Sequence, residues 1–378
     1  MDPTAPAPAY KTFSFRVKDA TSGTRLVALG NAVNFVWNFI NEVSAKSAQR
    51  DPRWISKKDL RALTKGASRE LGLPSQVIQE VIDEYLDKRK AARRPKLRWR
   101  VSRGARRSLG WVPFTNQDIE INGSIVSLRG QKFRLWQHRE LQGKIKSGNF
   151  AQDARGRWYC NIVCEIERTT TNRTAVTGID LGHKTAAKCS DGPELEQATF
   201  DRDLEPKLAE AQRQGRRRQV QTIHAKIANR RKDALHKFSR AVVDRAGAIF
   251  VGNISSTWQI ASGNAKATLD VSWSTLRNFL EYKGDHAGVV FAEVNEAFTT
   301  QTCSGCHALS GPKGREGLAV RQWVCSECGT EHDRDHNAAL NIARLGCETL
   351  GLKGLRSLGL GITHALASSM SRSGDLKR

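Results

Sequence analysis

The stretch Cys325–Ala343, CSECGTEHDRDHNAALNIA, joins a cysteine knuckle to the start of a helix and decides how the rest of the chain is interpreted. A second knuckle, Cys303-x2-Cys306, ends eighteen residues before it. Two knuckles at this spacing place four thiolates around a zinc ion, as in a zinc ribbon, and a redox pair or chance spacing is the weaker alternative. Because four thiolates close the coordination shell, we expect this Zn²⁺ to be structural.

Two aspartates stand out beside this cysteine motif. Asp335 precedes a predicted helix whose small residues allow close packing on a sheet, and Asp180 follows a predicted buried strand between Gly178 and Gly182. Taken singly, Asp335 fits a helix N-cap and Asp180 fits a turn cap. Their combination with the cysteine motif, which stands just before Asp335, weakens these simpler interpretations.

Composition points to a polyanionic partner. The 378 residues, of which 39% are hydrophobic and 26% charged, have globular proportions and suffice for two or three domains. Sixty-one Lys and Arg against 38 Asp and Glu give a net charge of +23, which favours nucleic acid, with an acidic membrane surface as the rival. No apolar run approaches the roughly 20 residues that span a bilayer. The N-terminal residues carry no export signal, so we expect a prokaryotic cytosolic or nucleoid-associated protein.

The hydrophobic pattern divides the chain. Residues 11–17 alternate as a strand, residues 25–94 have helical spacing, and residues 96–170 alternate as hairpins that could recruit the N-terminal strand. From residue 176 onwards strands alternate with helices, including a long polar helix over about 206–245 and a helix over 269–282. This alternation predicts an α/β core. The remaining cysteines, Cys160, Cys164, Cys189 and Cys347, are expected to be small buried hydrophobes.

Within the helical region, two apolar stripes predict buried faces. The predicted members are Leu29, Val33, Val36, Phe39 and Ile40 in one helix, and Val77, Ile78, Val81, Ile82 and Tyr85 in the next.

The motifs and their order resemble the TnpB family of transposon-encoded RNA-guided nucleases, relatives of compact type V CRISPR effectors. The matching stretches are GIDLGHK (178–184), KIANRRKDALHKFSR (226–240), VNEAFTTQTCSGC (294–306) and CSECGTEHDRDHNAALNIA (325–343). The last two are specific. The resemblance covers residues 11–345, although the N-terminal third follows the family in pattern alone.

The resemblance implies an RNase H-like (RuvC) nuclease core interrupted by a zinc ribbon, with a helical recognition domain and a β-barrel wedge domain. The implied boundaries are 1–20 for the first wedge strand, 21–95 for the recognition domain, 96–172 for the wedge barrel, 173–298 for the first part of the core, 299–332 for the zinc-ribbon target-nucleic-acid-binding module, 333–346 for the rest of the core, and 347–378 for a mobile, dispensable tail. By analogy, the protein binds a guide RNA from the transposon end. It then cuts double-stranded DNA beside a short adjacent motif.

The family usually holds two Mg²⁺ ions with three acids. Asp180 and Asp335 match the first and third, but Gly252 stands where the middle glutamate is expected. Mg²⁺ requires hard oxygen ligands, and a two-metal site needs several of them. We therefore predict that Glu296, just after the next strand, is a relocated catalytic acid. Glu293 is the competing candidate, although its alternation fits an ordinary strand-face acid.

Basic residues concentrate in two segments. Residues 88–107 contain eleven Lys or Arg and no acid, near Trp99 and Trp111, and the helix over 213–240 carries further clusters. A solvated surface is the alternative to nucleic-acid contact. The candidate contacts are Arg93, Arg94, Lys96, Arg98, Arg100, Arg103, Arg106, Arg107, Arg216, Arg217, Arg218, Arg230, Arg231 and Lys232. The nearby histidines His183, His236, His332 and His336 are expected to be polar surface residues rather than metal ligands.

Three functions remain open at this point. The first is an active RNA-guided DNA endonuclease. The second is a guide-dependent DNA-binding repressor that cannot cut, which Gly252 favours. The third is a zinc-ribbon nucleic-acid-binding protein without a guide. A compact type V CRISPR effector is also compatible with these motifs.

Overall fold

The computed structural model describes residues 8–51, 53–182, 185–196, 202–253, 273–317 and 319–351. The chain forms two compact units, one comprising Ala7–Glu167 and the other containing the chain from Arg168 onwards. The fold is mixed α/β. The finer domain boundaries stated above remain predictions.

The first unit combines a helical segment with an antiparallel sheet. Its strands are ordered β2-β6-β7-β1-β5-β4-β3, so the N-terminal strand pairs with β7 and β5 and its predicted recruitment is confirmed. The helices are α1 (Ala20–Arg50), α2 (Lys57–Leu63), α3 (Ala67–Leu71) and α4 (Ser75–Ala92). The strands are β1 (Ala9–Val17), β2 (Trp111–Thr115), β3 (Ile119–Asn122), β4 (Ile125–Leu128), β5 (Gln131–Trp136), β6 (Lys144–Gln152) and β7 (Trp158–Ile166).

Aromatic contacts show that this sheet curls onto itself. The rings of Phe133 in β5 and Phe150 in β6 lie 4.9 Å apart, although two other strands separate β5 from β6 in the sheet. Phe114 of β2 packs edge-on against the same Phe150 ring at 5.5 Å. The inner face is therefore a shared aromatic core, as in a nearly closed barrel.

Helix packing in this unit follows the predicted stripes with one exception. In α1, Leu29, Val33, Val36 and Ile40 are buried, but Phe39 is 40% exposed. At 100° per residue, Phe39 lies about 90° away from the centre of the four buried residues, so it points out of the interface. All five predicted apolar residues of α4 are buried.

The second unit is built on a five-stranded sheet ordered β10-β9-β8-β11-β12. Strands β8, β11 and β12 are parallel, whereas β9 and β10 run antiparallel to their neighbours. The strands are β8 (Val176–Asp180), β9 (Thr185–Cys189), β10 (Glu194–Glu196), β11 (Ala248–Gly252), β12 (Val290–Val294), β13 (Gln322–Val324) and β14 (Glu331–Asp333). The helices are α5 (Glu205–Arg213), α6 (Arg217–Val243), α7 (Trp273–Ala287), α8 (Gly314–Gly317) and α9 (Arg334–Thr349).

Two predicted helix limits are wrong. The polar helix expected over about 206–245 is interrupted between α5 and α6, where Gly215 has a φ of +64° that a continuous helix does not allow. Helix α9 continues to Thr349, so residues 347–349 do not belong to a tail. The rest of the predicted tail, residues 352–378, lies outside the described residues, as do residues 269–272 of the predicted helix over 269–282.

The central sheet is covered on both faces. Ile179, Ile249 and Val251 pack into the cluster that includes α6 and α7, while Phe250 packs with Ile342 of α9. Glycine permits α9 to lie directly on β8, because a Cβ at Gly178 would sit 2.1 Å from the carbonyl oxygen of Ala339. Since side chains alternate along a strand, Asp180 projects to the same face as Gly178, the face that carries α9.

The scattered cysteines behave largely as small hydrophobes. Cys160, Cys164 and Cys189 are fully buried, as predicted, and burial raises the pKa of each thiol. Cys347 is half-buried against the cluster that includes Phe250. Within the described residues, no helix is both long enough and apolar enough to cross a lipid bilayer.

Candidate catalytic site and cysteine cluster

The three parallel strands of the second unit end at one edge of the sheet. Strand β8 ends at Asp180, β11 at Gly252 and β12 at Val294, with Gly252 and Val294 directly paired in register. Glu296 follows two residues after the end of β12. Because Val294 packs with Phe250 on the α9 face, alternation directs Glu296 towards that same face.

Gly252 and Glu296 occupy complementary positions. A Cβ built on Gly252 would lie 2.2 Å from Oε2 of Glu296 and 3.3 Å from its Cβ. The carboxylate of Glu296 therefore fills the space in which a side chain at position 252 would begin. Glu296 is thus the carboxylate that lies beside the end of β11.

The ionisation of Asp180 is coupled to two other carboxylates. Its pKa is raised from 3.8 to about 8, first by burial and then by the negative charges of Asp335 and Glu296. Arg334 and Arg321 act in the opposite direction. Carboxylates that oppose each other's ionisation in this way attract a divalent cation, whose charge would remove the repulsion. Among the described residues, however, the cysteine quartet is the one group of three or more donors whose ligand atoms lie close enough to share a metal ion.

Asp335 is not the helix cap that its sequence context suggested. The N-cap of α9 is Asp333, whose carboxylate accepts a hydrogen bond from the backbone N–H of His336 at 2.9 Å. Asp335 lies in the first turn of the helix and accepts from Nη1 of Arg321 at 3.2 and 3.4 Å. Capping is therefore done by a different residue, and the charge of Asp335 contributes to the raised pKa of Asp180.

Arg321 is a site residue that sequence reasoning missed. It lies between the two cysteine knuckles, immediately before β13, and its backbone carbonyl accepts from the N–H of Arg334 at 2.7 Å. The cysteine-bearing segment thus contributes a cation to the carboxylate site. Its position before a short strand gave no sequence signal, because a lone arginine in a basic chain has no distinguishing pattern.

Glu293 does not share the site of Glu296. It is exposed, and its carboxylate lies 3.8 Å from Nε of Arg277, which also donates to the carbonyl of Gly252 at 2.9 Å. Glu293 alternates with Val294 and so projects from the opposite face of β12. Of the two glutamates considered, the structure brings Glu296 to Gly252.

The four predicted zinc ligands form a cluster. The sulfur atoms of Cys303, Cys306, Cys325 and Cys328 all lie within 4.8 Å of one another. The Sγ–Sγ distances from Cys303 to Cys328 and from Cys306 to Cys325 are both 3.6 Å. Tetrahedral zinc with bonds of about 2.3 Å requires sulfur separations of about 3.8 Å, so the cluster can hold a zinc ion.

Polar neighbours orient the cysteine sulfurs. The hydroxyl of Ser310 lies 3.1 Å from Sγ of Cys325 and lowers the pKa of that thiol to about 6, and Thr330 contacts Cys328 at 3.2 Å. His332 was predicted to be a surface residue, but it is buried with Nε2 3.0 Å from Sγ of Cys303. These groups surround the cluster as outer-shell partners do in zinc sites.

Two asparagines of α9 fix the cysteine segment beside the acids. The side-chain amides of Asn337 and Asn341 both donate to the carbonyls of Thr299 and Thr302, at 2.7–3.2 Å. The side-chain oxygen of Asn337 accepts from the N–H of Ser304. Helix α9, which carries Asp335 in its first turn, therefore anchors the first knuckle.

The remaining histidines have separate environments. His236 is half-buried and stacks on Phe279 with ring centroids 4.0 Å apart, so it is not a simple surface residue. His336 is half-buried in the first turn of α9, and His183 lies outside the described residues.

Most of the predicted nucleic-acid contacts are exposed. Arg100 is an exception, because its guanidinium donates to Oδ1 of Asn34 at 2.6 Å and to the carbonyl of Leu109 at 2.7 Å. Arg230 pairs with Asp203 at 2.7 Å, and Arg231 is half-buried. The exposed candidates are Arg93, Arg94, Lys96, Arg98, Arg103, Arg106, Arg107, Arg216, Arg217, Arg218 and Lys232.

Comparison with known proteins places these features in a family context. Residues 161–257 match the OrfB_IS605 model, described as "Probable transposase", and residues 273–342 match the model of the Cas12f1-like TNB domain. The first match contains Asp180 and Gly252, and the second contains Glu296, Asp335 and the four cysteines. The resemblance to the TnpB family is confirmed.

Relatives with curated names agree with this match. The chain is 32% identical over 211 residues to a Streptomyces pristinaespiralis protein provisionally named RNA-guided DNA endonuclease, covering 52% of each chain. It is 28% identical to the CRISPR-associated endodeoxyribonuclease Cas12f1 of Sulfoacidibacillus thermotolerans, covering 50% of this chain and 51% of that one. The chain thus spans about half the length of the curated relatives it matches.

A solved structure shares the fold. The cryo-EM structure of a Cas12f1–sgRNA–target DNA complex aligns with a TM-score of 0.59 over 89% of this chain and 99% of that chain, at 11% identity. This likeness concerns the fold alone. It supports the mixed α/β architecture with a sheet-rich unit.

Proposed function

We propose that this chain is an RNA-guided DNA endonuclease with an RNase H-like (RuvC) core in which Glu296 replaces the acid absent at Gly252. The observation that carries the proposal is the carboxylate of Glu296 lying in the space above Gly252, together with the coupling of Asp180 to Asp335 and Glu296. A site that had lost its function would not require a third carboxylate at that point.

The proposed reaction is hydrolysis of a phosphodiester with two Mg²⁺ ions held by Asp180, Glu296 and Asp335. When bound, the ions would activate water and stabilise the leaving oxygen. The chain's own contribution is to supply ionised carboxylates in a fixed arrangement. Asp180 must lose its proton to act as a ligand, and its pKa of about 8 makes that loss dependent on the incoming cation.

Arg321 suits a role at the scissile phosphate. In the absence of cations its guanidinium neutralises part of the charge of Asp335 at 3.2 Å. A guanidinium binds phosphate oxygens as readily as carboxylate oxygens. We propose that Arg321 turns from Asp335 to the DNA phosphate when the carboxylate is taken up by metal.

The proposed partners are a guide RNA and a double-stranded DNA target. The relatives' names and the net charge of +23 support this assignment. The exposed basic residues at 93–107 and 216–232 would bind phosphates, while base pairing with the guide reads the target sequence. The cysteine cluster, with structural zinc, would hold Arg321 and the loop of Glu296 in position.

Guided plasmid cleavage tests the proposal. The chain is purified with the RNA that accompanies it, this RNA is sequenced, and a plasmid bearing the complementary target is incubated with Mg²⁺. We expect cleavage by wild type and by Glu293→Gln, and a loss of at least a hundredfold with Asp180→Ala or Glu296→Gln. Cleavage by Glu296→Gln at the wild-type rate would remove Glu296 from the site.

A guide-dependent DNA-binding repressor is the second candidate, because Gly252 breaks the usual acid pattern. The same preparation distinguishes it. Target binding without cleavage by wild type, over a range of Mg²⁺ and Mn²⁺ concentrations, would favour the repressor. The position of Glu296 favours the nuclease.

A further inference from the structure

A segment of the first unit, residues 96–103, runs along α1 without forming a helix or strand. We call it the strap. Three asparagines on one face of α1, Asn34, Asn38 and Asn41, hold it in place. Their spacing of four and three residues puts them in a row along the helix.

Two of these asparagines each bind both backbone polar groups of one strap residue. The side-chain amide of Asn41 donates to the carbonyl of Leu97 at 2.9 Å, while its oxygen accepts from the N–H of Leu97 at 2.8 Å. Asn38 does the same for Arg100, at 2.7 and 2.9 Å. The backbone N–H and C=O of Leu97 and Arg100 are thereby fixed, which restrains the backbone of the strap despite its irregular conformation.

Arg100 completes the anchoring. In addition to its bonds with Asn34 and Leu109, its guanidinium lies 5.9 Å from the ring centroids of both Trp37 and Trp111. An arginine held by cation–π contacts and two hydrogen bonds has a structural role. It is not available as a phosphate contact.

The side chains between the anchors point to solvent. Lys96, Arg98 and Arg103 are exposed, and Trp99 is 46% exposed. Burial of Trp99 would have contributed to the stability of the fold, but its aromatic surface is exposed between cationic side chains. The backbone that carries it is already ordered, so its conformational entropy is not lost again when a ligand binds. This arrangement combines stacking surface with positive charge at little further entropic cost.

We propose that the strap is a binding site for single-stranded nucleic acid, with Trp99 stacking on an unpaired base and Lys96, Arg98 and Arg103 binding the flanking phosphates. Stacking requires an open base face, which a continuous duplex does not offer, so the occupant is a single strand. RNA and DNA share this chemistry. The inference rests on the proposed nucleic-acid-binding function of the chain, but it does not depend on cleavage.

Fluorescence anisotropy with the full chain, without added Mg²⁺, tests the site. The protein is freed of bound RNA at high salt and titrated with 12-nucleotide single-stranded RNA, single-stranded DNA of the same sequence, and the matching DNA duplex. Trp99→Ala is expected to weaken single-strand binding about tenfold or more and duplex binding less than twofold. Trp136→Ala is the matched control, because Trp136 is 55% exposed in the same unit and also neighbours a lysine, Lys18, at 4.8 Å. It is expected to bind like wild type.

Asn38→Ala tests the rigidity of the strap without changing charge or the stacking residue. It is expected to weaken single-strand binding several-fold, while the melting temperature of the protein stays unchanged. Trp99→Ala binding equal to wild type, or equal losses for the single strand and the duplex, would overturn the strap assignment. Failure of wild type to bind any of the three probes would overturn the strap assignment together with the proposed function. The stronger of the RNA and DNA responses identifies which strand the site takes.

Discussion

Replacing Asp180 with asparagine is expected to stabilise the metal-free protein. The pKa of Asp180 is raised from 3.8 to about 8 in the folded state because the group is buried beside Asp335 and Glu296. In the unfolded chain the pKa returns to its ordinary value. The folded protein therefore retains a proton, between about pH 4 and pH 8, that the unfolded chain has released.

The sign and size of the effect follow from this difference. A carboxyl group whose pKa is higher in the folded state costs nothing below pH 4, and its cost rises with pH until it levels off above pH 8. At about 1.36 kcal/mol per pKa unit, the interval from 3.8 to pH 7 gives an upper bound of about 4 kcal/mol. Structural relaxation lowers such values, and a gain of about 2 kcal/mol corresponds to a Tm increase of about 4–8 °C for a unit of this size.

Thermal unfolding without added Mg²⁺ between pH 4 and pH 9 measures the difference between wild type and Asp180→Asn. Glu293→Gln serves as the control, because this exposed carboxylate pairs with Arg277 at 3.8 Å and its removal should change Tm little. With Mg²⁺ added, wild type should gain more stability than Asp180→Asn. If Asp180→Asn is no more stable than wild type at pH 8, or if the difference does not shrink towards pH 4, the electrostatic account of the site is refuted.

Three further substitutions test separate parts of the second unit. Gly252→Ala places a Cβ 2.2 Å from Oε2 of Glu296 and is expected to reduce Mg²⁺-dependent cleavage at least tenfold at unchanged nucleic-acid affinity. The double variant Gly252→Glu/Glu296→Gly is expected to recover part of the activity. Cleavage by Gly252→Ala at the wild-type rate would contradict this prediction. Cys328→Ser is expected to lower the zinc content measured by mass spectrometry below one ion per chain, and an unchanged content would exclude a four-cysteine zinc site. Gly178→Ala would put a Cβ 2.1 Å from the oxygen of Ala339 and is expected to destabilise the protein by about 3 kcal/mol. An unchanged midpoint of urea unfolding would show that α9 does not pack on β8 as described.

The features that could be predicted from the sequence depend on short-range patterns. Two knuckles of two cysteines each specify a sulfur cluster because the ligands of each pair are three residues apart. The apolar stripe of α4 specifies a buried face for the same reason. Asp180 and Asp335 were recognisable because each lies inside a motif of several residues, so their proximity followed from a resemblance rather than from either residue alone.

Contacts between polar side chains far apart in the sequence could not be predicted. Asn38 and Arg100 are separated by 62 residues, and Arg321 and Asp335 meet although neither has a partner signalled by hydrophobic periodicity. Hydrophobic patterns determine which faces are buried, but they do not say which donor meets which acceptor. Gly215 shows the same limit, because a single glycine in a polar helical pattern is compatible both with a continuous helix and with a helix that is interrupted there.

The relation between Gly252 and Glu296 can be derived from sheet geometry. Adjacent parallel strands lie about 4.8 Å apart, so a glutamate beyond the end of β12 can reach over the end of β11. With a Cβ at position 252, Oε2 in its present place would be 2.2 Å away, so the Glu296 carboxylate would have to move. A side chain at 252 and an inward glutamate at 296 therefore compete for the same space. The glycine that first suggested an inactivated nuclease is the residue that makes room for the carboxylate of Glu296.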